Sequence, residues 1–248
     1  MPPASADSLL MHPYDRAFVD VLHTLQNAAL AAERPAGVRL LAVAKTQPAE
    51  ALAALAELGQ RAFGENYVQE ARAHRAGLGD VAQDLEWHLI GHLQSNKARD
   101  AAIVFDWVQT VDRIKLVDAL ARHRPPSRPP LNVLVQVNID DEASKHGCRP
   151  DDVIALAHAI STQSNLTLRG LMAIPAPDPD MARRRQAFAR MKALFDQLRD
   201  PHAQVDTLSM GMSEDFALAI AEGATMVRVG SALFGSRARK SDPHPRNS

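Results

Sequence analysis

The chain has 248 residues and a formal net charge of −1, with basic and acidic residues spread along its length. Such a sequence carries no electrostatic footprint for nucleic acid or for an anionic membrane surface, so we expect no nucleic-acid partner. Hydrophobic residues make up 46% of the chain and aromatic residues only 4%, so the core must be built from Ala, Leu, Val and Ile, which is typical of parallel sheets covered by helices.

The sequence also indicates where the protein works. Cys148 is the only cysteine, which excludes an internal disulfide and favours a reducing compartment. The amino terminus lacks the basic start and apolar run of a secretory signal, and no stretch approaches the roughly 20 apolar residues needed to cross a bilayer. We therefore expect a cytoplasmic protein with no membrane partner, and we take a monomer as the working expectation.

Helical and strand patterns alternate along the chain. Apolar positions at helical spacing predict an opening helix over residues 14–34. Short apolar runs then predict eight strands, over residues 40–44, 61–64, 87–91, 107–110, 132–139, 166–174, 205–210 and 225–230. Segments of helical character lie between them, over residues 48–58, 65–75, 95–102, 113–123, 150–161, 182–198 and 213–221, with a last one from Ser231.

Eight strands that alternate with helices predict a parallel, single (β/α)₈ TIM barrel with an extra amino-terminal helix. The length alone would also allow two small domains, but no shift in composition marks a boundary between them. We therefore predict one barrel domain over residues 1–235, followed by a disordered tail over residues 236–248.

Lys45 is the first candidate functional residue. It follows a predicted strand in which Leu41 and Val43 share its face, because strand side chains alternate. This places Lys45 inward at the carboxyl end of a strand, where barrel active sites are built. A lysine in a partly desolvated pocket loses its proton more readily and can form a Schiff base. The alternative is a lysine that extends from the rim into water.

Two glycine-bearing loops follow the seventh and eighth predicted strands, over residues 209–213 and 230–235. These are the positions at which barrels commonly bind phosphate, because backbone N–H groups at helix amino termini donate to the anion. Gly230 would allow close approach of the backbone, and the hydroxyls of Ser213 and Ser231 would add donors. Each loop alone could be an ordinary turn with a serine cap, but together they favour a phosphate site.

Arg228 shares the face of Gly230 on the last strand, so we expect it to project into the barrel mouth. A buried arginine needs an acceptor, which could be a carboxylate in the barrel or a ring nitrogen of a cofactor. Asn66, at the end of the second strand, could also line the mouth. We interpret His88 as a hydrogen-bonded core histidine. His88 and His92 are four residues apart, but on a strand and turn that spacing does not put both on one face, so we predict no metal site.

Taken together, these motifs resemble the pyridoxal phosphate homeostasis protein family, a group of single barrels similar to the amino-terminal domain of alanine racemase. The matching segments, in order from about residue 40 to residue 235, are LLAVAKTQP, FGENYVQEA, WHLIGHLQSNK, PPLNVLVQVNI with the following SKHG, LRGLMAIP, LSMGMSED and MVRVGSALFG. The resemblance implies pyridoxal 5′-phosphate (PLP) as the cofactor.

The resemblance also implies a role for each candidate residue. It puts the Schiff base on Lys45, the arginine at the pyridine nitrogen on Arg228 and an asparagine beside the ring on Asn66. The implied phosphate ligands are Ser213, Gly230 and Ser231. The family more often has Thr where this chain has Ser231, which keeps the hydroxyl and loses a methyl group.

The same resemblance implies PLP homeostasis rather than efficient catalysis, with apo forms of PLP-dependent enzymes as candidate recipients and no catalytic residue. Alanine racemase uses a second base, a tyrosine from a separate carboxy-terminal domain of the partner subunit. The only tyrosines here are Tyr14, in the opening helix, and Tyr67, one turn into the helix after the second strand, and neither is expected to reach the cofactor. The alternatives are a PLP-dependent amino-acid racemase of low activity and a lysine-dependent aldolase-type barrel without a cofactor.

Overall fold

The computed structural model describes residues 14–34, 37–140, 145–176 and 178–235. They contain eight strands: β1 (Arg39–Val43), β2 (Ala62–Glu65), β3 (Glu86–Leu89), β4 (Trp107–Val111), β5 (Leu131–Gln136), β6 (Leu166–Met172), β7 (Thr207–Met212) and β8 (Met226–Val229). Each strand pairs in parallel with the next one along the chain, and β8 pairs with β1, which closes the barrel. The predicted eight-stranded parallel barrel is therefore confirmed.

A helix, α1 (Asp15–Ala31), precedes the barrel, as predicted. The helices that follow are α2 (Ala49–Glu57), α3 (Val68–Leu78), α4 (Ala98–Val104), α5 (Ile114–His123), α6 (Val153–Ser161), α7 (Met181–Arg199), α8 (Phe216–Ala221) and α9 (Ser231–Phe234). Short 3₁₀ stretches lie at Gly79–Asp84, Ser95–Lys97 and Pro150–Asp152. Both α3 and α8 begin later than predicted, because β2 continues through Glu65 and β7 through Met212. In the described part of the chain, no helix has the length and apolar character that crossing a membrane requires.

Side-chain alternation along β1 explains how the sheet is covered. Leu40, Ala42 and Ala44 belong to the main core between strands and helices, whereas Leu41 and Val43 belong to a separate cluster inside the barrel. Full burial of a leucine or valine side chain stabilises a fold by about 1.5–3 kcal/mol, so both faces of the strand contribute. The predicted inward face of β1 is thus the observed one.

The interior of the barrel is only partly apolar. It holds two small apolar clusters, one of Leu41, Ala62, Ile90 and Met226 and the other of Trp107, Leu134 and Met172. Buried polar side chains touch both clusters: the His88 ring stacks on Trp107 with centroids 5.0 Å apart, and Gln109 Nε2 lies 3.2 Å from Met226 Sδ. The histidine is hydrogen-bonded and fully buried, as predicted.

Helix α1 packs against α8 and α9 through Phe18, Val21, Leu25 and Ala29, which recur at helical spacing and are buried. Just before it, the Tyr14 ring meets the Phe234 ring edge-on at 5.8 Å. The helix therefore supports the unit that follows β8. The predicted tail over residues 236–248 lies outside the described residues, and the assignment of residues 1–235 to one domain stays a prediction.

Candidate functional site

Lys45 lies in a tight turn directly after β1. Gln47 N donates to Ala44 O at 3.0 Å, which makes Lys45 and Thr46 the two central residues. Thr46 has φ +64°, a left-handed conformation that is an outlier for a β-branched residue. The lysine is therefore presented by a backbone that the surrounding structure holds in an unfavourable conformation.

A second contact fixes the far side of this turn. His74 Nε2 lies 2.7 Å from Gln47 O and must donate to it, because a carbonyl oxygen only accepts. The other ring nitrogen, Nδ1, lies 2.6 Å from Oε1 of the fully buried Glu65. The hydrogen bond to Glu65 raises the pKa of His74, and burial raises the pKa of Glu65. The pair therefore holds a proton between histidine and carboxyl more firmly than either group would in water.

One cavity of about 370 Å³ opens at the carboxyl ends of the strands beside this turn. Five of the six candidate residues line it: Lys45, Ser213, Arg228, Gly230 and Ser231. Val43, which shares the predicted face of Lys45, also lines it, as do Met212 and Gly235 from the two predicted loops. Sequence reasoning missed the other lining residues, which are Thr46, Gln47, Pro175, Arg184, Glu214 and Asp215. The structure thus brings the predicted lysine, arginine and serine-bearing loops together in one place.

The loops after β7 and β8 meet at this cavity. Gly230 N lies 3.4 Å from Ser213 Oγ, which brings the two predicted phosphate loops side by side. Ser209 to Met212 belong to β7 rather than to a loop, so the loop after the strand begins only at Ser213. Gly211 is required in that strand because it has φ +91° and a Cβ there would lie 2.5 Å from the Cβ of Ala219 in α8.

Arg228 is buried, with 3% of its surface exposed, and it lines the cavity. Its Nη1 donates to Ser209 Oγ and its Nη2 to Ala173 O, both at 2.8 Å. Among the described residues, its hydrogen-bond acceptors are thus a hydroxyl and a backbone carbonyl rather than the barrel carboxylate considered from the sequence. Burial lowers the pKa of Arg228 to about 10, which still leaves the guanidinium charged at neutral pH.

Arg184 and Asp215 form a second charged pair on the cavity wall. The Arg184 Nη1 and Asp215 Oδ2 atoms are 3.7 Å apart, and both side chains are largely buried. Asp215 Oδ1 also accepts from Met212 N at 2.7 Å, which fixes the loop after β7. The sequence held one signal for Arg184, since it lies in the first turn of the helix that follows β6 and therefore at the barrel mouth.

Asn66 does not line the cavity that contains Lys45. It lies in a neighbouring cavity of about 430 Å³ at the ends of β2 and β3, together with Tyr67, His92 and Lys97. Tyr67 precedes α3 rather than lying one turn into it, and 62% of its surface is exposed. The role of Asn66 beside a cofactor ring stays a prediction. In the described part of the chain, no group of three His, Cys, Asp or Glu side chains is placed to hold a metal ion.

The sequence of this barrel is similar to those of known proteins. Residues 19–238 match the family model of the alanine racemase N-terminal domain. A Pseudomonas aeruginosa protein named pyridoxal phosphate homeostasis protein is 53% identical over 214 residues, covering 86% of this chain and 91% of its own. A Pasteurella multocida protein of the same name is 49% identical over 226 residues, covering 90% of this chain and 97% of its own. This chain belongs to the pyridoxal phosphate homeostasis protein family.

A solved structure of another barrel agrees with the family assignment. PipY of Synechococcus elongatus, solved with PLP bound, has 39% sequence identity and a TM-score of 0.73, with 86% of this chain and 99% of that chain covered. A D-threonine aldolase from Filomicrobium marinum, at 23% identity and a TM-score of 0.68, shares the fold alone, over 88% of this chain and 60% of its own. Sequence relatives of this chain are therefore named for PLP homeostasis, and one structural relative was solved with PLP bound.

Proposed function

We propose that this protein binds PLP reversibly, as a Schiff base with Lys45, and keeps the cofactor available to other proteins without efficient catalysis. The observation that carries the proposal is that one cavity is lined by Lys45, by the buried Arg228 and by two serine-bearing loops. The names of the relatives and the PLP bound to PipY support the choice of cofactor.

The residues present fit this cofactor. The cavity of about 370 Å³ lies within the range of small-molecule sites, roughly 300–1,000 Å³. Ser213, Ser231 and the backbone at Gly230 offer neutral donors to a phosphate. A Cβ at Gly230 would lie 3.3 Å from the Cβ of Val43 in the cavity wall, so a larger residue would crowd the site.

When bound, PLP supplies an aldehyde that condenses with an amine, with loss of water. Lys45 would provide the amine, and its proton must leave before the nitrogen can attack. Arg228 would hold the pyridine nitrogen as a donor. Because a guanidinium keeps its proton, the ring would remain a weak electron sink, which restrains carbanion chemistry.

The proposal of weak catalysis rests on the side chains around the cavity. Tyr14 packs on Phe234, and Tyr67 lines the neighbouring cavity. Asp215 already accepts from Met212 N and faces Arg184. A positioned general acid or base typically contributes about 10²–10⁴-fold, and neither described tyrosine lines the cavity to act as one, so we expect the barrel to racemise amino acids slowly. A cytoplasmic location, monomeric state and transfer to apo-enzymes are parts of the same proposal.

The cofactor linkage can be tested by trapping. Purified protein is incubated with PLP, reduced with borohydride and digested, and the modified peptide is identified by mass spectrometry. We expect the adduct on Lys45 and its loss in Lys45→Arg. An adduct on Lys97 or Lys115 that persists in Lys45→Arg would contradict the assignment.

A second assay separates a carrier from a racemase. The PLP-loaded protein is incubated with L-alanine or L-serine, followed by chiral analysis, while a parallel sample is mixed with a PLP-dependent apo-enzyme to measure its activation. We expect activation of the apo-enzyme and racemisation far below ordinary turnover. Racemisation at or above about 1 s⁻¹, the low end of ordinary enzymes, would overturn the carrier role.

A further inference from the structure

A chain of hydrogen bonds crosses the interior of the barrel from the cavity to its opposite end. Arg228 Nη1 contacts Ser209 Oγ at 2.8 Å, Ser209 Oγ contacts Gln109 Oε1 at 2.7 Å, and Gln109 Nε2 contacts His88 Nδ1 at 2.9 Å. His88 Nε2 then lies 2.7 Å from Glu86 Oε1. The links come from β8, β7, β4 and β3, so the chain joins both halves of the barrel.

The chemistry of its two ends fixes the direction of every donor in this chain. Arginine can only donate, so the Ser209 oxygen accepts from it and the hydroxyl proton goes to Gln109 Oε1. The amide of Gln109 must then turn its NH₂ group toward His88, whose Nδ1 accepts. His88 is left as the neutral tautomer with its proton on Nε2, which it donates to Glu86.

At the opposite end of these hydrogen bonds, the Glu86 carboxylate accepts the Nε2 proton of His88. Arg39 pairs with the same Glu86 oxygen. Burial alone would raise the pKa of Glu86, but the hydrogen bond from His88 and the charge of Arg39 outweigh it and lower the pKa to about 2. Burial lowers the pKa of His88, in keeping with a neutral ring. A cation donates at one end, a carboxylate accepts at the other, and each link between them has a single orientation.

This arrangement is costly unless every member is satisfied. Gln109, Ser209 and His88 have no exposed surface, and an unpaired polar group at such depth costs free energy comparable to a lost hydrogen bond. The polar residues lie among two apolar clusters of the barrel interior, against Met226 of one and Trp107 of the other. What the chain does achieve is to hold one nitrogen of Arg228, while Ala173 O holds the other.

We propose that Ser209, Gln109 and His88 are positioning residues that fix the Arg228 guanidinium for the cofactor ring. The proposal rests on PLP being the ligand of the cavity. Arg228 is the residue that touches the cofactor; the other three act through it. A fixed guanidinium favours binding because its orientation need not be ordered when the ligand arrives.

Two variants on β7 test the positioning role. Ser209→Ala removes the acceptor for Arg228 and the donor to Gln109. Thr207→Val is the matched control, since it removes another buried hydroxyl of the same strand, one that donates to Asp206 Oδ1 at 2.7 Å and not to Arg228. In absorbance titrations we expect PLP to bind Ser209→Ala about tenfold more weakly and Thr207→Val about as tightly as the parent protein.

The donor directions along these hydrogen bonds can be tested without the cofactor. In PLP-free protein labelled with ¹⁵N-histidine, NMR should show His88 neutral with its proton on Nε2. Gln109→Glu replaces the NH₂ donor with a second carboxylate oxygen, so His88 should gain a proton on Nδ1. Because this variant keeps the size of the side chain, it also serves if Ser209→Ala does not fold.

Each outcome decides something. Parent-like PLP affinity in Ser209→Ala, or an equal loss in Thr207→Val, overturns the positioning role. A proton on His88 Nδ1 in the parent protein, or an unchanged ring in Gln109→Glu at a pH at which the new carboxyl is ionised, overturns these donor directions. If the parent protein fails to bind PLP, the proposed function falls and the positioning role with it, while the His88 result still reports on the chain.

Discussion

The turn that carries Lys45 can be relaxed by a single substitution, Thr46→Gly. The left-handed conformation of Thr46 costs a residue with a side chain roughly 1–2 kcal/mol, and glycine adopts it freely. Glycine also gains freedom in the unfolded chain, which destabilises the fold by about 0.5–1 kcal/mol. Since the Thr46 side chain is exposed, few contacts are lost. The free energy of unfolding should therefore rise by about 0.5–1 kcal/mol, measured by urea titration of the PLP-free protein.

PLP binding should change in the opposite direction. A glycine beside Lys45 makes the turn more flexible, so more order must be imposed on binding if Lys45 forms the proposed Schiff base. An added cost of about 0.5–1 kcal/mol corresponds to affinity weaker by about two- to fivefold, which an absorbance titration resolves. The same substitution would thus stabilise the protein and weaken its site.

Glu33→Gly is the matched control for this prediction. Glu33, beyond the end of α1, is the other described non-glycine residue with positive φ, at +53°, and it is also exposed. Its replacement should give a similar gain in stability with no change in PLP affinity. The reasoning is refuted if Thr46→Gly lowers the free energy of unfolding, or if both variants bind PLP with the affinity of the parent protein.

Three further predictions follow from the site and its surroundings. Ser213→Ala should weaken PLP binding by about 1–3 kcal/mol while affecting pyridoxal without its phosphate far less, and equal losses for both ligands in titrations would exclude a phosphate contact. His74→Gln should lower the free energy of unfolding at pH 6, and by less at pH 9. The raised pKa of His74 adds stability that is complete below the unfolded pKa of about 6.5 and is lost as pH rises through the folded pKa. Urea titrations at both pH values would contradict this if the loss of stability grew with pH. Cys148, whose pKa burial raises to about 12, should resist a thiol reagent at pH 8 in the native protein and react after unfolding, and rapid native labelling would show that its burial is wrong.

Much of the site could be predicted because a parallel strand gives each residue a definite face. Lys45 and Arg228 follow from the alternation along the first and last strands, and both line the cavity. The loops containing Ser213 and Gly230 follow from the rule that phosphate sites of barrels lie after strands seven and eight. Each of these inferences uses only local sequence and the position of a strand in the order.

Other features depend on relations between distant strands, which a single sequence does not display. Gln109 and Ser209 are 100 residues apart, and nothing local marks them as hydrogen-bond partners. Asn66 lines the neighbouring cavity, and its place beside a cofactor ring, which the family resemblance implies, stays a prediction. The left-handed Thr46 also lacked a signal, because a glycine or asparagine is the residue usually found in that conformation.

Because β8 pairs with β1 to close the barrel, the cavity lies where the first and last strands of the described barrel meet. Leu41 of β1 pairs with Arg228 of β8, and α1 packs beside α9. During synthesis the lysine therefore leaves the ribosome long before the arginine and loops that complete its surroundings, and contacts of such long sequence separation form slowly. A nascent or truncated chain that stops before residue 226 would carry Lys45 without the residues from 226 to 235 that line its cavity. Capture of the cofactor would then report that residues 226–235 have been made and that the ring of strands has closed.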